Sequence, residues 1–135
     1  MSFPLPDVTP LNAPHWNGLK QGRLMFQRCR ACGHAWLPAR EACPQCLAVE
    51  PEWQESAGRG AVVSWVVYHT AYDAAFKDRL PYDVTCVALD EGPRILTNVI
   101  DSDAGAKLRI GARVSLCIEH EGELALARFR LAGAG

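Results

Sequence analysis

The sequence predicts a mainly β protein in three parts: a short N-terminal helical arm, a four-cysteine metal-binding ribbon, and a five-stranded barrel. Three observations carry this prediction. Two CxxC pairs stand ten residues apart, between Cys29 and Cys46. From residue 60 onward, Val, Ile, Thr and aromatic residues gather in five short runs separated by turn formers. The 135-residue chain can bury a modest core, but a leading module of about 40 residues needs a staple to fold. The expected divisions are 1–23 for the arm and helix, 24–50 for the ribbon and 51–135 for the barrel.

The arm comes first. Residues 1–14 (MSFPLPDVTPLNAP) hold four prolines, which favour an extended segment that orders against a partner. They lack the basic start and apolar core of a signal peptide, and no apolar run approaches the ~20 residues that span a bilayer. The expected location is therefore cytoplasmic, a reducing setting in which six cysteines point to metal or thiol chemistry before disulfides. A short helix follows: Asn12 caps it, Pro14 suits its first turn, Trp16, Leu19 and Lys20 recur at helical spacing, and Gly22 stops it. The run RLMFQRC then reads as a strand leading into the first cysteine pair.

The barrel strands are expected at 60–68 (GAVVSWVVY), 84–89 (VTCVAL), 94–100 (RILTNVI), 113–119 (RVSLCIE) and 124–130 (LALARFR). Glycine-centred turns join them at 91–93 and 121–123, and Gly111 marks the turn before the fourth strand. The longest connection, 69–83, holds a candidate helical turn at AAFKDR. Strand 124–130 alternates, with Leu124, Leu126 and Arg128 on one face and Ala125, Ala127 and Phe129 on the other. Strand 60–68 is apolar almost throughout and so is expected to be covered on both faces, by the cysteine module, a partner chain or both.

Each CxxC forms a tight knuckle, and two knuckles supply four thiolates to one tetrahedral ion. Cys29, Cys32, Cys43 and Cys46 are the expected ligands of one structural Zn2+, whose shell they fill without leaving a position for water. A thioredoxin-type redox pair fits poorly with two such knuckles and no βαβ pattern. Iron takes the same ligands, but nothing else in the chain points to electron transfer. Cys86 and Cys117 sit in strand runs and read as small core residues. The histidines (His15, His34, His69, His120) are dispersed, and no Ser/His/Asp set or phosphate-cradling glycine motif is present.

With these elements in order, the chain resembles the family long called domain of unknown function thirty-five. The resemblance lies in HWNGLKQGRLMFQRCRACGHAWLPAREACPQC, then SAGRGAVVSWVVYH, LPYDVTCVALDEGPRILTNVID, IGARVSL and ARFRLA, which cover nearly the whole chain in family order. Leu47 departs from it, standing where the second knuckle usually has glycine. The resemblance implies a rubredoxin-like zinc ribbon joined to an OB-fold, acting as a non-catalytic accessory subunit in a hetero-oligomer. Its implied partners are thiolase-fold enzymes (thiolases, acyltransferases or aldolases), or else acyl-CoA hydratases, and it helps to hold the CoA moiety.

A CoA ligand needs cations for its phosphates and an aromatic or apolar wall. Arg28, Arg30, Arg40, Lys77 and Arg79 are candidate cations; Trp36, Phe76, Trp65, Tyr68 and Tyr82 are candidate walls. Trp16 and Leu19 are the candidate partner contacts, because HWNGL is apolar for a terminal segment. The rival reading is a single-stranded nucleic-acid binder, since zinc ribbons and OB-folds also serve that role. Fourteen basic residues against 15 acidic ones give net charge −1, which disfavours it.

Overall fold

The computed structural model describes residues 8–49, 51–69, 80–121 and 124–132. Helix α1 (Ala13–Lys20) starts after Asn12 and ends before Gly22, whose φ of +81° a side-chain-bearing residue adopts only with strain. Asn12 turns its side chain backwards: its Oδ1 accepts from Thr9 N at 2.7 Å, and it makes no cap bond to the helix.

The ribbon is a three-stranded antiparallel sheet in the order β2–β1–β3, built from β1 (Met25–Cys29), β2 (Ala35–Trp36) and β3 (Pro51–Glu55). β3 is an addition to the expected strands. PEWQE has little apolar alternation, and it becomes a strand by pairing with β1 along its whole length, from Met25–Glu55 to Cys29–Pro51.

The larger sheet runs β6–β5–β4–β7–β8, with β4 (Arg59–Tyr68), β5 (Tyr82–Leu89), β6 (Arg94–Thr97), β7 (Arg113–Glu121) and β8 (Leu124–Leu131). Its outer strands meet across the seam through a parallel bridge, Val99–Phe129. Ile100 N donates to Phe129 O at 2.8 Å, and Phe129 N donates to Asn98 O at 3.0 Å. This nearly closes a five-stranded antiparallel barrel with OB topology. Closure also explains why β6 ends at Thr97, short of the expected 94–100: beyond it the backbone turns from β5 to pair with β8. The sheet bends sharply where β4 carries a bulge between Val62 and Ser64. At Gly60 any Cβ would lie 2.5 Å from Ala88 O, so only glycine fits that crossing.

One core serves more than the barrel. Leu19 of α1 and Leu24 before β1 pack with Val62, Val87, Val99, Val114 and Phe129. A carboxylate fixes the ribbon–barrel connection: Glu91 accepts from Ser56 Oγ at 2.8 Å and Ala57 N at 2.7 Å.

The structure decides one part of the expectation for β4: the cysteine module does not cover its outer face. Its inner face is covered, but among the described residues nothing shields its outer face, where Val66 is 53% exposed and Ser64 and Tyr68 are exposed too. The strand covered outside is β8, against which α1 packs. The candidate helical turn at AAFKDR lies outside the described residues. Among the described residues no helix is long and apolar enough to cross a membrane.

Candidate metal centre

The two cysteine knuckles share one geometry. Gly33 N donates to Cys29 O at 2.9 Å, and Leu47 N donates to Cys43 O at the same 2.9 Å. Both positions need a left-handed backbone, φ +80° at Gly33 and +66° at Leu47. For Gly33 that is free; for Leu47 its Cβ crowds the backbone. The loops close tightly enough for backbone amides to face sulfur. Cys32 N reaches Cys29 Sγ at 3.5 Å, while Gln45 N and Cys46 N reach Cys43 Sγ at 3.3 and 3.4 Å.

All four sulfurs lie within 4.8 Å of one another. Across the knuckles, Cys29 Sγ is 3.5 Å from Cys46 Sγ, and Cys32 Sγ is 3.6 Å from Cys43 Sγ. A tetrahedral ion with Zn–S bonds of ~2.3 Å sets sulfur–sulfur edges of roughly 3.8 Å, so the set fits Zn2+ with small adjustment. The thiols show why a cation belongs there. The Cys32 amide holds Cys29 below its ordinary value. Burial pushes Cys43 up, but the Cys46 and Gln45 amides and the adjacent thiols outweigh it and bring Cys43 down to about 7. At Cys46 the Ala48 backbone pulls down, yet the Cys29 thiol, burial and the other sulfurs push it up to about 12. Four thiolates this close ionise together only around a positive ion.

Cys29 and Cys43 are buried with Trp36, while Cys32 and Cys46 face outward. His34 stacks on Trp36 at 6.1 Å between ring centroids, outside the sulfur cluster.

The other expected site residues scatter. Trp36 is buried against the knuckles, so its ring is no open ligand wall. Arg28 lies over Phe26 and donates to Gln54 Oε1 at 3.0 Å and Gly33 O at 2.9 Å, which engages its guanidinium within the ribbon. Arg30 and Arg40 are exposed. Lys77, Arg79 and Phe76 lie outside the described residues. Leu19 is 1% exposed and belongs to the core, so of the two expected partner contacts only Trp16 is partly open. A cavity of about 430 Å³ does separate ribbon and barrel, between α1, residues 37–39, β6 and β8. Among the described residues its basic lining is Arg94, and neither Arg28 nor Arg40 lines it.

Sequence reasoning missed a second polar cluster at the barrel mouth. Asp83, 4% exposed, accepts from Thr85 Oγ1 at 2.5 Å, Val99 N at 2.9 Å and Ser102 Oγ at 3.2 Å. Nearby, Arg128 Nη1 donates to Glu119 at 2.6 Å and Glu121 at 3.2 Å. The signal was present: Arg128 follows Leu124 and Leu126 on one face of a largely apolar run, and a charge in such a place implies a partner.

Comparison with known proteins agrees with this architecture. Residues 16–52 match the model of the ChsH2 rubredoxin-like zinc ribbon domain, and residues 53–119 match that of the ChsH2 C-terminal OB-fold domain. A probable enoyl-CoA hydratase alpha subunit of Thermomonospora curvata is 38% identical over 128 residues. That alignment takes in 94% of this chain but only 39% of the relative's length. A DUF35 domain-containing scaffold protein of Methanothermobacter thermautotrophicus is 33% identical, with 80% of this chain and 84% of that protein aligned. In three dimensions the chain superposes on a chain of the Ltp2-ChsH2(DUF35) aldolase with TM-score 0.82 and 36% identity, covering 94% of this chain and 98% of that one. Zinc is the cofactor of this ribbon, and the chain belongs to the DUF35 family of zinc ribbons joined to an OB-fold.

Proposed function

We propose that this chain is a non-catalytic accessory subunit of an acyl-CoA-processing complex, bound in a hetero-oligomer to a thiolase-fold catalytic chain. One observation carries the reading: the near-complete superposition on a chain of an aldolase complex, at TM-score 0.82 over 98% of that chain. Cys29, Cys32, Cys43 and Cys46 hold one Zn2+, which supplies folding energy to the ribbon and takes no part in the reaction. Residues 1–23 serve as an arm, 24–50 as the ribbon and 51–135 as the OB-fold. The exposed Arg30 and Arg40 are the ribbon cations best placed to meet CoA phosphates. The complex works in the cytoplasm, where the four ligand thiols stay reduced.

A second reading, in which the partner is an acyl-CoA hydratase, is favoured by the relative named as a hydratase alpha subunit at 38% identity. A tagged pull-down from native cell extract decides, with mass spectrometry of the co-purified chain and metal analysis of the eluate. A thiolase-fold enzyme with about one zinc per chain is the expected result. A hydratase selects the second reading; recovery of nucleic acid, or of no acyl-CoA enzyme, overturns both.

A further inference from the structure

Resting on the accessory-subunit reading, we infer that the catalytic partner docks on the outer β4–β5–β6 face of the barrel and in the groove beside it. The partner's contribution is an apolar anchor accompanied by a basic side chain.

The cross-strand register defines the face. Ser64, Cys86 and Leu96 form one row, Val66 and Val84 a second, Tyr68 and Tyr82 a third. No acidic or basic side chain interrupts these rows. Leu96 is 71% exposed and Val66 53%, side by side with half-buried Val84, so the patch is contiguous and open to water. The sequence of β4 is that of a strand covered on both faces, and among the described residues nothing supplies the second cover.

Beside the patch, a groove of about 490 Å³ runs between Tyr82, Val84, Leu96 and Ile100 on one side and Glu119 and Arg128 on the other. Its charge selects the occupant. Among its described lining residues the charged ones are Asp83, Glu119 and Arg128, two carboxylates to one guanidinium. Arg128 is already shared by Glu119 and Glu121, and Asp83 already accepts from three donors. The Glu119 side chain remains 37% exposed. Among the described lining residues the balance is thus negative, which disfavours a phosphate, whether of CoA or of a nucleic acid, and favours a lysine or arginine lying next to an apolar residue. Asp83 holds Val99 and Ser102 in place, so the groove floor is formed before binding.

The experiment uses the full zinc-loaded chain and the acyl-CoA enzyme it recovers, with affinity measured by calorimetry. Leu96→Asp and Val66→Asp should each weaken association by about tenfold or more. Ile110→Asp, at a site 78% exposed in the turn before β7, should bind like wild type. Circular dichroism and zinc content confirm that each variant is folded. Glu119→Gln should flatten the salt dependence of binding. If Leu96→Asp and Val66→Asp bind like wild type, this docking face is wrong while the accessory reading stands. An unchanged salt slope in Glu119→Gln removes the basic anchor. If wild type recovers no acyl-CoA enzyme, both readings fall together.

Discussion

The ribbon and the barrel are both antiparallel sheets, and they are held by different forces. The barrel is centred on Val62, Val87, Val114 and Phe129, which exclude water around a closed sheet. The ribbon's own buried cluster is Cys29, Trp36 and Cys43 with Ala48 against them, too little apolar surface to offset the entropy of ordering its loops. Four thiolates and an ion make up the difference. The chain therefore has one region whose stability follows metal and thiol chemistry, and one whose stability follows area. Leu19 and Leu24 cross between them, since both lie in the barrel's core while flanking the ribbon's first strand.

Chelation gives the largest effect. Structural zinc contributes on the order of 10 kcal/mol to such small modules, so a strong chelator should unfold the ribbon while most of the barrel persists. Hydrogen exchange at Phe26 and Gln27 reports the ribbon, and at Val87 and Val114 the barrel. A ribbon that keeps its structure without metal would break the contrast. Next comes Phe129→Ala, which empties the barrel centre and breaks nothing in the zinc site. A loss of about 3–5 kcal/mol is expected in urea unfolding, with bound zinc retained at low urea.

A finer test lies within the ribbon, where two knuckles differ by one residue. Leu47→Gly should relieve left-handed strain and stabilise the zinc-bound ribbon by about 1 kcal/mol, and Gly33→Leu should cost a similar amount. Competition with a metal indicator measures both. Equal behaviour of the two variants would show that the knuckles are not equivalent in solution.

The smallest effect is on the barrel surface. The hydrogen bond from Arg113, with its charge, holds Asp90 below its ordinary 3.8. Its folded value is depressed, so its stabilisation is present above pH ~4 and disappears as the pH falls through the lowered value. Asp90→Asn should unfold slightly more easily at neutral pH and coincide with wild type in strong acid, as followed by thermal melts across pH.

The parts that were legible in the sequence are those with local signals. CxxC spacing, Gly22 and the Val-rich runs each act within a few residues of themselves. β3 was hidden because PEWQE is polar; it is a strand only because β1 offers an edge to it. The early end of β6 was hidden because closure depends on Phe129, thirty residues further along the chain from Val99. The same distance conceals the barrel mouth, where Asp83 on β5 meets Val99 and Ser102, and Arg128 on β8 meets Glu119 on β7. Trp36 and Leu19 show the complementary limit. Their types suit a ligand wall and an interface, but only the fold reveals that both side chains are already buried within their own chain.

Closure of the barrel at the Val99–Phe129 seam also bears on the chain before it finds company. A subunit made separately from its partner must stay dispersed in a crowded cell, with Val66 and Leu96 on display. An open sheet in that condition would offer unpaired amides and carbonyls to any extended neighbour and could seed fibrils. At the seam Ile100 N and Phe129 N already donate to Phe129 O and Asn98 O, so these two amides are withdrawn from such encounters. The seam thus removes part of the edge that an open sheet would display.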